Sequence, residues 1–221
     1  MALAQSIRMV LSPPHPAGRP FIIGGVAAMV IGLFVGSWLI VVGLIFTLFC
    51  LYFFRDPERF PPQRPNLVVA GADGRVVLVG PAVPPPELGL GSLPLPRVAI
   101  FLSVLDVHVN RIPVGGTITR ISYRHGKFLN ASVDKASEEN ERNAIAIRLP
   151  DGREMAVVQI AGLIARRIVC NVRQGDMVRT GERFGIIRFG SRTDIYLPEG
   201  TELLVSVGQL MIGGETVVAQ L

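Results

Sequence analysis

The hydropathy pattern is dominated by an uncharged stretch from Phe21 to Phe54. It is longer than the about 20 apolar residues that one membrane-spanning helix needs. Gly36-Ser37-Trp38 lies near its middle, where Gly-Ser permits a turn and Trp favours a membrane–water interface. The pattern therefore predicts a transmembrane hairpin of two short helices, about Phe21–Val35 and Leu39–Phe54. One long tilted helix is the alternative.

Basic residues on both sides of this stretch set an expected orientation. Arg8 and Arg19 precede it, and Arg55, Arg59 and Arg64 follow it. Because positive charge favours the cytoplasmic side, both ends of the hairpin are expected there. The predicted organisation is a cytoplasmic tail at 1–20, a membrane anchor at 21–54, a Pro-rich linker at 55–66 and a β-rich domain at 67–221.

From Leu67 onward, short runs rich in Val and Ile alternate with Gly and Asp turns, which is typical of strands. Pro150-Asp151-Gly152-Arg153 predicts a hairpin turn, and one short helix is expected at Leu163–Arg167. So few helices favour a mainly β fold, a compact antiparallel sandwich or barrel. The predicted strands are Arg75–Val79, Val98–Leu102, Gly116–Ser122, Ala144–Leu149, Glu154–Ile160, Ile168–Val172, Phe184–Arg188, Glu202–Val207 and Thr216–Gln220.

A faint internal repeat accompanies these strands. Val172, Gly175, Val178, Gly181 and Glu182 recur as Val205, Gly208, Met211, Gly214 and Glu215. The repeat indicates paired hairpins of the kind that build lipoyl- and biotin-carrier domains. Those carriers display a Lys on a turn, and neither copy has one there, so the architecture is expected without the carrier function.

Composition narrows the class of protein. Apolar residues make up 49% and charged residues 18%, which excludes a disordered chain. Two cysteines exclude a disulfide-dense scaffold and a four-Cys zinc site, and no metal is expected. The net charge of +5 favours an anionic partner. With an anchor and no basic run interleaved with aromatics, that partner is an anionic membrane rather than nucleic acid.

Polar residues in apolar surroundings are the candidates for chemistry. Asp73 follows an apolar run, and Asp106 and His108 are spaced to share one face of an extended strand. His125 begins a second segment, His125-Gly126-Lys127-Phe128-Leu129-Asn130-Ala131, and a Gly190-Ser191 pair follows a late strand. Each of these alone is more often structural than catalytic.

Taken in order, these segments make the chain resemble the phosphatidylserine decarboxylases, in their short, archaeal-type form. The resemblance covers the apolar hairpin, the Arg-Asp-Pro linker, Ala72-Asp73-Gly74, the stretch Phe101–Pro113, the His125 segment and the terminal Phe189-Gly190-Ser191-Arg192. It implies a proenzyme that cuts itself between Gly190 and Ser191. The products would be a β chain, 1–190, and an α chain, 191–221, associated as a heterodimer.

The resemblance also implies the cofactor and the reaction. Ser191 becomes a covalent pyruvoyl group, which forms a Schiff base with the serine amine of phosphatidylserine and holds the electrons released with carbon dioxide. The product is phosphatidylethanolamine. A hydroxyl beside a peptide carbonyl can attack it, and Gly190 has no Cβ to oppose the strained turn that this needs.

The resemblance further implies roles for side chains. Asp73 corresponds to an Asp that helps self-cleavage, and His108 to a His that protonates the decarboxylated intermediate. Longer relatives carry a second His where this chain has Arg111, so the base for self-cleavage is open between Asp73, Asp106 and His108. His125 is a weaker candidate. Arg192 or Arg111 could pair with the substrate's phosphate or carboxylate.

Two other functions compete with this one. A membrane-tethered adaptor of a transport complex would keep the anchor and hairpins but stay uncut. A pyruvoyl decarboxylase of a soluble amino acid would have no reason to carry an anchor. The oligomeric state, including a homodimer, is left open by the sequence.

Overall fold

The chain forms two compact units in a computed structural model, one ending at Glu58 and the other beginning at Arg59. The structure describes residues 12–126, 140–162, 167–188 and 191–221. The helix predicted at Leu163–Arg167 and the residues Gly190 and Lys127–Ala131 therefore lie wholly or mostly outside the described residues.

The first unit is a helical hairpin, as predicted, and not one long helix. Its helices are α1 (Arg19–Val35) and α2 (Ser37–Phe53). Gly36 turns the chain between them with a φ of +151°, a conformation that side chains oppose. A Cβ on Gly43 would lie 2.8 Å from the Gly25 carbonyl oxygen, so these glycines let the helices approach closely. By length and apolar composition, Pro16–Val35 could cross a membrane, and Ser37–Phe53 is a shorter apolar helix.

The second unit is mainly β, as predicted. Every predicted strand is present with somewhat different ends. The strands are β1 (Leu67–Val69), β2 (Gly74–Ala82), β3 (Leu95–Leu102), β4 (Val109–Arg111), β5 (Gly116–Arg124), β6 (Arg142–Arg148), β7 (Glu154–Ala161), β8 (Ile168–Cys170), β9 (Met177–Val178), β10 (Arg183–Ile187), β11 (Ser191–Tyr196), β12 (Glu202–Leu203), β13 (Leu210–Met211) and β14 (Val217–Gln220).

These strands form one large sheet and two small ones, all with antiparallel pairing. The large sheet has the order β13-β2-β3-β11-β7-β6-β5-β9, and the small sheets are β1-β14-β12 and β4-β10-β8. The large sheet curls into a half-barrel. Its inner face carries the main apolar core, which includes Ile100, Leu102, Val157 and Ile195. The strand β11, which begins at Ser191, lies in the middle of this sheet between β3 and β7.

The repeat in the sequence is a duplication of structure. The Gly175 and Gly208 N–H groups donate to the carbonyls of Ile118 and Val76, each at 2.8 Å. Bulges occur at matching places in β5 and β2, between Ile118/Arg120 and Val76/Leu78. From one edge of the large sheet the strands run β13, β2, β3 and β11, and from the other edge the equivalent strands run β9, β5, β6 and β7. Strand β11, which Ser191 begins, is therefore one of the two central strands of this arrangement, and β7 is the other.

Candidate active site

Ser191 begins β11 and is completely buried. It pairs with Leu102 at the end of β3 and with Ala161 at the end of β7. Its Oγ has no hydrogen-bond partner among the described residues. A buried hydroxyl without a partner loses its bonds to water and gains nothing in return. Such a group in a well-packed sheet is a strong indication of a functional atom.

The strand registers bring the other candidates to the same end of the large sheet. Asp73 directly precedes β2, whose first residue, Gly74, packs against the Phe101 carbonyl and Leu102. The turn that contains Asp106 follows β3, and His125 follows β5. Because antiparallel neighbours alternate in direction, the start of β2 and the ends of β3, β5 and β7 all meet where β11 begins.

Asp73 is held on both carboxylate oxygens. Oδ2 accepts a hydrogen bond from Arg59 at 2.6 Å, and Oδ1 accepts one from the Gly213 N–H at 2.7 Å. The side chains of Arg59 and Asp73 are 6% and 17% exposed. This carboxylate is therefore fixed in position just before β2. Strand β2 pairs with β3, and the last residue of β3, Leu102, pairs with Ser191.

Asp106 closes a tight turn from Ser103 to Asp106. Its Oδ2 accepts hydrogen bonds from the Ser103 N–H at 2.8 Å and the Ser103 hydroxyl at 2.7 Å. The Asp106 N–H donates to the Ser103 carbonyl at 3.0 Å. The prediction that Asp106 and His108 share one face of a strand is wrong, because strand β4 begins only at Val109. The turn residues adopt their conformation because the carboxylate satisfies both Ser103 donors.

His108 is completely buried and its ring is oriented by this turn. The Nδ1 atom lies 2.9 Å from the Asp106 carbonyl oxygen. A carbonyl oxygen only accepts, so Nδ1 donates the proton in this hydrogen bond. The His108 carbonyl accepts the Ile187 N–H at 3.3 Å, which places His108 beside the segment that leads to Ser191.

A buried polar network on the inner face of the sheet was not predicted. Asn143 donates to Gln159 at 2.9 Å, Gln159 donates to Asn110 at 2.8 Å, and Asn110 donates to the Thr193 hydroxyl at 3.2 Å. Thr193 lies two residues after Ser191 and so shares its face of β11. The sequence signal for this network was Gln159, a polar residue within the otherwise apolar strand β7. Sequence patterns alone do not distinguish such a residue from an ordinary core residue.

Arg192 faces the other side of the sheet. Its guanidinium donates to Asp194 at 2.6 and 2.7 Å, and both side chains are fully buried. Arg97 of β3 lies 3.8 Å from the same carboxylate. Burial and the Asp194 charge raise the pKa of neighbouring Tyr196 to about 12. Arg192 is thus engaged in a structural ion pair.

Arg111 and His125, the other side chains considered for substrate binding or catalysis, differ in burial. Arg111, which is 3% exposed, donates to the Gly181 carbonyl at 2.9 Å. His125 is exposed, and its ring meets Tyr123 edge-on with centroids 5.1 Å apart. Tyr123 in turn donates to Glu141, and burial together with that bond raises the tyrosine pKa to about 12. The hydroxyl therefore stays protonated at neutral pH and remains a donor.

Cationic side chains lie near the start of β11. Arg188 is half-buried and comes three residues before Ser191. Its N–H donates to the Arg167 carbonyl at 3.2 Å. Burial and the charge of Arg167 lower the pKa of Arg188. Two guanidinium groups near each other favour an anion between or beside them.

Comparison with known proteins identifies the family. A family model described as phosphatidylserine decarboxylase matches residues 46–219. The chain belongs to the phosphatidylserine decarboxylase family. A phosphatidylserine decarboxylase proenzyme from Granulibacter bethesdensis is 70% identical over the whole chain and 91% of the relative. Proenzymes of the same name from Gluconacetobacter diazotrophicus and Gluconobacter oxydans are 60% and 58% identical over all of both chains.

Membership of the phosphatidylserine decarboxylase family makes the chain an enzyme of this type, and the adaptor alternative has no support. The term proenzyme in the relatives' names indicates that those proteins are made as precursors. In this chain Asp73 directly precedes β2, the turn before His108 follows the end of β3, and Ser191 begins β11, which pairs with that end of β3.

Proposed function

We propose that this chain decarboxylates phosphatidylserine to phosphatidylethanolamine and carbon dioxide, after cutting itself between Gly190 and Ser191. The observation that carries the proposal is the buried Oγ of Ser191, which has no hydrogen-bond partner among the described residues and lies at the end of the large sheet where Asp73 precedes β2 and the turn before His108 follows β3. Family membership supplies the substrate class.

The cut is a reaction of Ser191 itself. Its Oγ attacks the Gly190 carbonyl carbon, so that the peptide bond becomes an ester and the Ser191 nitrogen becomes an amine. Loss of the α-proton then expels the Gly190 carboxylate and leaves an enamine at position 191. One water hydrolyses the imine form of this enamine to a ketone and releases the nitrogen as ammonia. The new α chain begins with a keto group. Asp73, fixed by Arg59 and Gly213, is proposed as the group that assists this step.

The residues around Ser191 fit a pyruvoyl group. The Cβ atom of Ser191, which would become the methyl carbon of this group, bears an Oγ that has no hydrogen-bond partner among the described residues. The flanking Leu102 and Ala161 are buried apolar residues that exclude water. The bound pyruvoyl carbonyl supplies an electron sink for the loss of the substrate carboxylate. His108 holds a proton on Nε2 for return to the substrate carbon, and Asp106 orients His108 as a positioning residue.

Cations near Ser191 suit the substrate headgroup, which carries a carboxylate and a phosphate. Arg188 and Arg167 lie close enough to each other to affect the Arg188 pKa. The net charge of +5 favours an anionic bilayer surface. The apolar hairpin is proposed to hold the enzyme in the cell membrane, with the β-rich unit on the cytoplasmic side.

The proposed β and α chains would stay associated after the cut. Strand β11 of the α chain is bonded on one side to β3 and on the other to β7, both in the β chain. The ion pair between Arg97 and Asp194 also joins the two chains. The cut removes one covalent bond and none of these contacts.

The direct test is the chemistry of the new chain end. Purified protein should run on denaturing gels as a large fragment and one of about 3 kDa, from residues 191–221. Mass spectrometry of the small fragment should give a pyruvoyl end that resists Edman degradation, and the sample should release carbon dioxide from phosphatidylserine. A serine end on an active small fragment, or an uncut active chain, would contradict the proposal.

Removing the Asp194 charge should destabilise the β-rich unit strongly. Asp194→Asn leaves Arg192 fully buried without its counter-charge, a loss of about 3–5 kcal/mol in the free energy of unfolding. Thermal or urea unfolding in detergent measures this. Asp151→Asn is the matched control, because Asp151 and Arg153 form an exposed pair with side chains 48% and 43% exposed. Equal, small shifts for both variants would contradict the structural role of the buried pair.

A further inference from the structure

The tight turn beside Ser191 carries two apolar side chains on its outer side. Val104 and Leu105 are 38% and 61% exposed. They are the two central residues of the Ser103–Asp106 turn, which follows directly on Leu102, the strand partner of Ser191. Exposed apolar residues scattered singly need no explanation, but a pair at the tip of a turn next to a reaction centre does.

The turn is held rigidly from inside. Asp106 accepts hydrogen bonds from both the N–H and the hydroxyl of Ser103, and its carbonyl accepts from His108. Ser103 and Asp106 are half-buried, whereas Val104 and Leu105 are the exposed residues of the turn. A rigid apolar tip loses little conformational freedom when a partner covers it.

Two neighbouring loops at the same end of the sheet also expose apolar residues. Phe60, 77% exposed, follows Arg59, which holds Asp73. Ile212, 44% exposed, precedes Gly213, which donates to the same carboxylate. We call Phe60, Val104, Leu105 and Ile212 the apolar rim. Described basic residues accompany it at this end of the sheet, with Arg124 and Arg167 both exposed.

We propose that the apolar rim is a bilayer-contacting surface, in which the Val104-Leu105 tip enters the lipid interface and brings the headgroup to the buried start of β11. This inference rests on the proposed function and deepens it. Ser191 is completely buried, so the headgroup of a lipid that stays in the bilayer reaches it only if this end of the sheet meets the bilayer surface. Apolar tips with basic neighbours match an anionic lipid surface in both chemistry and charge.

The rim is distinct from the helical hairpin. The hairpin lies in the other unit, and its proposed role is to attach the protein to the membrane by its own apolar length. The rim instead determines how the reaction centre meets lipid. A defect in the rim should therefore affect the use of bilayer substrate without releasing the protein from the membrane.

The kinetic test uses the full chain reconstituted in phosphatidylcholine vesicles. Leu105→Asp should lower the rate on long-chain phosphatidylserine, supplied at low mole fraction in the same vesicles, by about 10-fold, which corresponds to about 1.4 kcal/mol. The rate on a short-chain phosphatidylserine dissolved as monomers should change less than about twofold, because that substrate reaches the site through water.

Leu93→Asp is the matched control. Leu93 is 72% exposed in the loop between β2 and β3, at the opposite end of these strands from Ser191. It should leave both rates unchanged. An equal loss on both substrates for Leu105→Asp would assign the turn a purely structural role, and no loss on the bilayer substrate would exclude contact with lipid. Either result overturns the inference.

A second readout does not depend on catalysis. An environment-sensitive fluorophore on Leu105→Cys, in a background with Cys50 and Cys170 replaced by Ser, should shift to the blue in these vesicles and be quenched by doxyl-labelled lipid. The same label on Leu93→Cys should not. A shift without lipid quenching, accompanied by crosslinking between chains, would assign the rim to a second copy and overturn the inference. If the wild type makes no carbon dioxide but the probe is quenched, the proposed function fails and the lipid-contacting surface stands.

Discussion

Ser191→Ala should leave the chain as one uncut species of 23.9 kDa that releases no carbon dioxide from phosphatidylserine. The substitution removes only the Oγ atom. Without it there is no nucleophile to attack the Gly190 carbonyl and no oxygen to leave as the ester, so both the cut and the keto group are lost. Denaturing gels and a carbon dioxide assay measure the two losses on the same sample.

Misfolding would not account for this result. The Ser191 Oγ is buried and has no hydrogen-bond partner among the described residues, so its removal breaks no bond and relieves a desolvation cost. Circular dichroism and thermal unfolding should show a folded variant. Ser92→Ala, at an exposed loop position, is the matched control and should be cut and active. Carbon dioxide release by Ser191→Ala at the wild-type rate would exclude the mechanism.

His108→Asn should give a chain that cuts itself but turns over about 10²–10⁴-fold more slowly, the usual contribution of a positioned general acid. Asn keeps a donor for the Asp106 carbonyl, which limits the structural damage. It cannot return a proton to the substrate carbon. The rate of carbon dioxide release by fully matured protein measures this loss.

Asp73→Asn serves as the contrast, because the two groups are assigned to different steps. It should accumulate uncut chain, since an amide cannot accept the proton that the Ser191 hydroxyl gives up. It also weakens the ion pair with Arg59, so unfolding must be measured beside the gel. If His108→Asn matures and turns over normally, the proton donor lies elsewhere. If His108→Asn stays uncut while Asp73→Asn matures, the two assignments are reversed.

The features that the sequence predicted well depend on local pattern. The helical hairpin follows from an uncharged stretch with Gly36 at its turn, where a φ of +151° requires the residue that is there. The hairpin at Pro150–Arg153 joins β6 and β7 as expected. The repeat was visible because matching turns, such as those at Gly175 and Gly208, need glycine for the same conformational reason.

The central strand β11 was missed because its pattern contradicts the usual rule. Arg192 and Asp194 alternate with apolar or small residues, which normally indicates one solvent-exposed face. Here that face is buried as well, and the two charges neutralise each other inside it. Similarly, Asp106 and His108 were assigned to one face of a strand. Residue spacing alone cannot distinguish a strand from a turn that is closed by hydrogen bonds to the Asp106 carboxylate.

By itself, the sequence determined the apolar hairpin, the β-rich unit and its internal repeat, because these depend on composition and short-range spacing. Only the tertiary structure decided that β2, which follows Asp73, and β11, which Ser191 begins, start at the same end of the large sheet, and that the turn before His108 leaves the sheet at that end, because strand register joins these separate segments. It also decided that the Ser191 hydroxyl has no hydrogen-bond partner among the described residues and that the Arg192 charge is neutralised by Asp194. Burial and hydrogen bonding are set by the neighbours that folding supplies, and no local pattern contains them.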